Sequence, residues 1–262
     1  MTNSSTVLVK SSHNGIARIK LNDPNTYNAL SSETLKTLIN IFRSLNNENK
    51  TKVIIIEGLG KGFSAGHNLK EIRSLKNKKK KYKRLFNLCS KLMLEIVEGR
   101  KPVIAKVHGA AFAAGCQLVA SCDLAISSDD AMFATPGVNI GLFCSTPMVA
   151  VSRKVNRKNT MKMLLTGDHV NASYAKEIGL INDHYPISKL EKEVMDLAKK
   201  IASKSNLTIK IGKKAFYKQL EMPLSKAYKY TSEVMTKNAM ELDAEEGISA
   251  FLEKRKPNWK NK

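Results

Sequence analysis

KPVIAKVHGAAFAAGCQLVASCDLAI, residues 101–126, decides the architecture. Val103–Val107 is a short apolar, β-branched run with strand character. Gly109 to Gly115 is a stretch of small residues that reads as a loop. From Leu118 a short helix is expected, and Leu124–Ser127 is again strand-like. A buried strand, a small-residue crossing, a helix and another strand within 26 residues point to layered α/β structure.

The same alternation continues outward. On the N-terminal side, Val7–Val9 and Ile16–Leu21 read as strands joined at Asn14-Gly15. Ser31-Ser32-Glu33-Thr34 opens an amphipathic helix to about Leu45, with Ser31 as N-cap. Val53–Glu57 is a buried strand. Tyr82–Glu98 is a helix with Leu85, Leu88, Leu92 and Ile96 on one face. Beyond Ser188 the pattern turns helical: Leu190–Ile201, Thr208–Gln219, Leu224–Leu242 and Ala244–Lys254. Residues 1–200 are therefore expected to form an α/β body, and residues 201–262 a helical region packed on that body or on a neighbouring subunit.

Composition bounds the rest. The chain has 262 residues, 42% of them hydrophobic, enough for a substantial core. No apolar run reaches the roughly 20 residues of a membrane helix, so no membrane partner is expected. MTNSSTVLVK carries neither a basic amphipathic leader nor an apolar signal block. A cytoplasmic protein, or a mature organellar form, is the expectation. Four cysteines without a CxxC pair, and five scattered histidines, argue against disulfides and against a metal site.

The formal charge of +21 calls for an anionic partner or a lysine-rich surface. A phosphorylated small molecule fits. Nucleic acid fits less well, because no RNA- or DNA-binding motif accompanies the lysines. The densest block, Lys78 to Arg84 with only Tyr82 uncharged, reads as a solvated, mobile loop.

Several stretches together resemble the crotonase superfamily, the enoyl-CoA hydratase/isomerase family. They are LNDPNTYNAL (21–30), GKGFSAGHNLKEI (60–72) and the 101–126 segment, followed in family order by FATPGVNIGLFCSTP (133–147), MLLTGDHVNASYAKEIGLIND (163–183) and FLEKRKP (251–257). The resemblance spans nearly the whole chain. It implies a ClpP/crotonase-like α/β spiral of ββα units over residues 1–200. It also implies a C-terminal helical trimerisation region over 201–262, in a homotrimer or a dimer of trimers.

The resemblance further implies an acyl-CoA thioester as partner, with coenzyme A as part of the substrate and no separate cofactor. Two backbone N–H groups would polarise the thioester carbonyl and stabilise the enolate oxygen, one of them at a helix N-terminus. The matching residues are Ala65 and Ala114. CoA would run along Ala65, Gly66, His67, Asn68 and Leu69, with Phe251 and Lys254 approaching the nucleotide of an adjacent subunit. Asp23 stands where relatives often carry a basic residue, and Lys70 or the lysine block would have to compensate.

The departures are as informative. Hydratases of this family use two glutamates, and the matching positions hold Gln117 and Gly137. A glutamine orients water but exchanges no proton near neutral pH, and glycine offers no side chain. Where other relatives place an aspartate, this chain has Ser145. The remaining candidates are His67, Gln117, Asn139, Cys144 and Ser145. His67 has a pKa suited to acid–base work, or is a pocket wall. Cys144 is a nucleophile or a buried thiol, and Ser145 a reactive group or a turn cap. His108 and Asp123 read as structural.

Three functions stay open: an enzyme using enolate stabilisation for something other than hydration, such as decarboxylation or thioester hydrolysis; a non-catalytic acyl-CoA scaffold; and an RNA-binding family member.

Overall fold

The computed structural model describes residues 6–11, 14–74 and 76–262. His13 and residues 1–5, part of the leader reading, lie outside the described residues. The strands are β1 (Val7–Ser11), β2 (Ile16–Leu21), β3 (Val53–Gly58), β4 (Gly62–Ser64), β5 (Val103–Val107), β6 (Ala110–Phe112), β7 (Leu124–Ser128), β8 (Met132–Ala134), β9 (Val170–Asn171) and β10 (Asp183–Tyr185). The helices are α1 (Ser32–Asn47), α2 (Leu69–Ser74), α3 (Lys78–Val97), α4 (Ala114–Ser121), α5 (Ser145–Val151), α6 (Arg157–Thr166), α7 (Ala172–Glu177), α8 (Ile187–Ala202), α9 (Asn206–Gln219), α10 (Leu224–Ala239) and α11 (Leu242–Leu252).

Two sheets form. The larger runs β1-β2-β3-β5-β7-β10, parallel except for the β1–β2 hairpin. The smaller runs β4-β6-β8-β9, with only β8–β9 antiparallel. Consecutive strand pairs β3-β4, β5-β6 and β7-β8 each place one strand in each sheet before the chain turns into helix. Repeating that step winds the expected ββα spiral.

β3 shows how the core is divided. All six of its residues are buried. Ile54 and Ile56 face the main core with Leu35, Leu38 and Phe42 of α1 and Leu85, Leu92 and Ile96 of α3. Val53 and Ile55 face the other way, onto Leu190, Val194 and Ala198 of α8. Each fully buried Ile or Leu contributes about 1.5–3 kcal/mol. Ser31 caps α1, its side chain accepting from Thr34 N.

A charge cluster rims the α8 side of the sheet. Glu57 is 4% exposed and receives Arg18 from β2 and Lys106 from β5. Glu191 of α8 closes over the same two cations. Ahead of β5 and β7, the Lys213 ammonium of α9 donates to Ile96 O, Lys101 O and Asp123 Oδ2, while Tyr217 donates to Asp123 Oδ1. Asp123 also accepts from Val103 N, in keeping with a structural role.

Three expectations are corrected. The lysine block is not a loop: Lys78–Val97 is one helix, with the block as its first turns. Lysine is a good helix former, and these residues continue the register set by the buried face. Nor is 109–115 a loop. Ala110–Phe112 pairs with β4 and β8, and α4 starts at Ala114 rather than near Leu118. Tertiary pairing overrides the weak strand propensity of alanine. The α10–α11 break also falls earlier, at Ala239 to Leu242.

Candidate functional site

The site is built where the loop after β4 meets the start of α4. Two neighbouring loops are zipped together there. Ala65 N donates to Tyr27 O, Leu30 N to Gly66 O, and Ser64 Oγ to Asn28 O, while Gly66 N donates to Ser64 Oγ. Tyr27 and Asn28 both hold left-handed backbone, with φ of 53° and 55°. Asn28 tolerates it better than most residues. Its side chain secures the turn, Nδ2 donating to Leu59 O and Gly62 O, Oδ1 accepting from Asp23 N.

The zipper decides which amides are free. The Ala65 amide, the expected oxyanion donor, is already spent on Tyr27 O, and Gly66 N is spent on Ser64. The next amide, of His67, donates to no protein acceptor among the described residues. Gly66 has φ +89°, and a Cβ there would lie 2.8 Å from Phe112 O and 3.0 Å from Ala114 N. The loop after β4 therefore presses directly against the first turn of α4. The Ala114 amide is free because a helix's first N–H groups have no intrahelical acceptor. The first bond of α4 runs from Gln117 N to Ala113 O. Ala113, at φ 47°, makes the sharp entry into the helix.

His67 brings more than its amide. Its ring is mostly buried, Nδ1 lies 3.3 Å from Leu30 O, and Phe86 of α3 meets it edge-on at 5.6 Å. Burial holds the imidazole below its ordinary pKa, against an opposing pull from the Leu30 carbonyl. Nε2 is sealed from solvent with no hydrogen-bond partner. The ring is neutral near pH 7 and serves as a wall rather than a solvent-exposed proton relay.

Gln117 is 3% exposed, and its Oε1 accepts from the Cys89 thiol at 3.6 Å. Gly137 is buried in a 3₁₀ turn, and a Cβ there would lie 2.4 Å from Leu142 O and 2.9 Å from Cys144 Sγ. No side chain of any kind fits that position without a backbone shift. Cys144 is 7% exposed, and burial raises its thiol pKa, so it stays protonated. Ser145 is exposed and turns back to Phe143 O at 3.3 Å, a local cap. Asn139 is exposed and lies against the Gly167 turn. His108 Nε2 donates to Gly60 O at 2.8 Å.

The structure thus brings together His67, Ala114 and Gln117, with Gly66 as the contact between them. Among the described residues no hydrogen bond joins Asn139 or Ser145 to this group. Asn68 Oδ1 caps α2 by accepting from Glu71 N, and Leu69 is exposed on the same loop. Phe251 is exposed at the end of α11, and Lys254 follows with left-handed backbone. Among the described residues no group of three or more His, Cys, Asp or Glu side chains is placed to hold a metal. Among the described residues no helix is long and apolar enough to cross a membrane.

A family model described as enoyl-CoA hydratase/isomerase matches residues 11–262. The chain belongs to that family. It is 48% identical over 245 residues to human "Enoyl-CoA hydratase domain-containing protein 3, mitochondrial", covering 94% of this chain and 80% of that protein. It is 31% identical to "Enoyl-CoA hydratase, mitochondrial" of Pongo abelii, covering 95% and 85%. Among solved structures, an enoyl-CoA hydratase of Mycobacterium smegmatis superposes with a TM-score of 0.96 at 42% identity, covering 98% of this chain and 99% of that one. Family membership accounts for the spiral. Sequence reasoning missed the role of Asn28 and Ser64, although an asparagine ahead of a small-residue turn is the residue type that accepts left-handed backbone. Nothing in the sequence signalled the Cys89–Gln117 contact.

Proposed function

We propose that this chain binds an acyl-CoA thioester with the carbonyl oxygen between the His67 and Ala114 amides, stabilising the negative charge that develops there as an enolate. One observation carries this reading: of the three consecutive loop amides at 65, 66 and 67, only the last is unspent, and its loop abuts the free N-terminus of α4. Fixed amide donors cost no reorganisation as charge develops, which is why such pairs are effective. His67 N–H thus replaces Ala65 N–H in the assignment.

Two-glutamate hydration lacks support. The family's first acid position is an amide, and the space beside Gly137 is filled by Leu142 O and Cys144 Sγ. Reactions that ask little of a protein acid, such as decarboxylation or thioester hydrolysis, fit better. A non-catalytic acyl-CoA scaffold is the second reading, favoured by the sealed His67 Nε2 and the protonated thiols.

Residues 201–262 would serve assembly into a homotrimer or dimer of trimers. Leu224, Met240, Phe251 and Leu252 are each at least 74% exposed, an apolar display that a second copy would cover. Phe251 and Lys254 would then reach a neighbour's nucleotide. Relatives named as mitochondrial support an organellar rather than a cytoplasmic setting.

The test is mass-spectrometric turnover of a mixed panel of enoyl-, 3-hydroxyacyl-, malonyl- and methylmalonyl-CoA, with a CoA binding titration alongside. Consumption of one thioester, abolished by Gly66→Ala, supports an enzyme. Micromolar binding without turnover supports the scaffold. Absence of any binding overturns the oxyanion assignment and returns RNA to consideration, which steep salt dependence of polynucleotide binding would identify.

A further inference from the structure

A primary amide has one accepting end and one donating end, and at Gln117 the accepting end is already engaged. The Cys89 thiol donates to Gln117 Oε1. Cys89 is fully buried, and burial pushes its pKa up to about 12, so the S–H proton is permanent at physiological pH. A permanent donor on one side holds the amide with Oε1 toward the sulfur and Nε2 away from it.

Nε2 then has no acceptor among the described residues. Nor is it one of the sealed polar atoms without a partner, which are His67 Nε2, Ser127 Oγ, Ser128 Oγ and Thr135 Oγ1. It therefore opens onto accessible space. Gln117 lies one turn beyond Ala114 on the same face of α4. On α3, Phe86 touches the His67 ring and Cys89, one turn later, touches Gln117. The amide pair and Gln117 thus flank the same stretch of α3.

Charge completes the argument. Glutamates at 117 and 137 would repel an anionic acyl group, and neither is present. The nearest acid of the oxyanion loop, Glu71, accepts from Ser32 N. The positive end of α4 faces the site.

We propose that Gln117 Nε2 is a specificity-determining hydrogen-bond donor, held in that orientation by the Cys89 S–H, and that the site prefers CoA thioesters bearing an oxygen acceptor on C3 of the acyl group, either a carboxylate or a ketone. Gln117 touches the acyl group, and Cys89 is a positioning residue. The proposal rests on the acyl-CoA reading above.

The experiment is calorimetric titration of the full chain with malonyl-CoA, acetoacetyl-CoA and butyryl-CoA. The two oxygenated thioesters are expected to bind at least about tenfold more tightly than butyryl-CoA, the scale of one good hydrogen bond in a dry site. Their order relative to each other tells carboxylate from ketone. Gln117→Leu collapses the preference to within about twofold. Gln117→Glu, of nearly native shape, weakens malonyl-CoA most. Cys89→Val, without a donor, narrows the preference, and Cys89→Ser, which keeps one, retains it. Equal Kd for all three thioesters, or a preference that survives Gln117→Leu and Gln117→Glu, overturns the proposal while leaving acyl-CoA binding intact. Failure of all three to bind overturns both.

Discussion

Replacing Gly137 by alanine tests whether steric closure, rather than chance, keeps a side chain out of that position. The added Cβ would lie 2.4 Å from Leu142 O and 2.9 Å from Cys144 Sγ. Contacts under 3.0 Å are essentially never tolerated, so the carbonyl must retreat by at least about 0.6 Å, taking 3.0 less 2.4. It cannot retreat freely, because Leu142 N donates to Gly137 O at 2.9 Å and closes the turn. Overpacking of this kind costs about 1–3 kcal/mol, and weakening the turn bond adds about 1. The lower chain entropy of alanine in the unfolded state returns about 0.4–1 kcal/mol. The net expectation is about 1–3 kcal/mol of destabilisation. Urea denaturation at fixed protein concentration reads it as a lower midpoint with an unchanged slope. A matching activity assay follows crotonyl-CoA hydration by Gln117→Glu/Gly137→Glu, which is expected to be no faster than in the parent chain because the second carboxylate has nowhere to sit. An unchanged or higher midpoint for Gly137→Ala, or faster hydration by the double variant than by the parent chain, would refute the steric account.

Asn28→Ala removes three hydrogen bonds, one of them fully buried, and puts alanine at φ 55°, for an expected loss of about 3 kcal/mol; the shift of the thioester C=O stretch in an isotope-labelled acyl-CoA should shrink with it, and an unaltered shift would remove Asn28 from the site. Lys213→Met takes the ammonium donor from Ile96 O and Lys101 O and the paired cation from Asp123, so about 3–5 kcal/mol should be lost, with faster amide exchange in α9 as the local readout. The third concerns acid. Hydrogen bonds from Arg18 and Lys106 hold the Glu191 pKa down to about 2. Glu57 is also lowered, the same two cations outweighing its burial. Both carboxylates are depressed in the folded state, so their stabilisation is full above about pH 4.5 and drains away as pH falls toward 2. Glu191→Gln should flatten thermal stability across that window, and an unchanged acid profile would show that the cluster contributes nothing.

Much of the fold is legible because apolar periodicity reports burial. β3, β5 and β7 are short, largely buried runs built around aliphatic residues, and α1 and α8 carry apolar residues at helical spacing, so each announces itself. β6 does not. Ala110-Ala111-Phe112 has no strand character of its own, and only its neighbours β4 and β8 make it a strand. The first turns of α3 were masked by charge, which looks the same on a solvated helix as on a loop. At the site, the motif points to the loop after β4 but does not say which of its amides is free. Ala65 and His67 are two residues apart, and only the hydrogen bond from Ala65 to Tyr27 O, a contact between loops distant in sequence, separates the engaged donor from the free one. Gln117 is visible as an absent acid, whereas its orientation depends on Cys89, 28 residues earlier and on another helix.

The rim of charge beside β3 has a consequence for assembly of the sheet. β3 is buried on both faces, and Val53, Ile54, Ile55 and Ile56 are nearly interchangeable. Sliding the strand by one residue would swap one aliphatic set for the other between the two cores, and hydrophobicity alone would scarcely resist it. Glu57 does resist. It lies directly opposite Lys20 of β2 on one side and Lys106 of β5 on the other. A one-residue slip would carry its carboxylate to the other face, into the aliphatic core, and leave both lysines facing isoleucine. The single acid in the strand acts as an indexing pin, admitting only one alignment of the three central strands on which the rest of the spiral is wound.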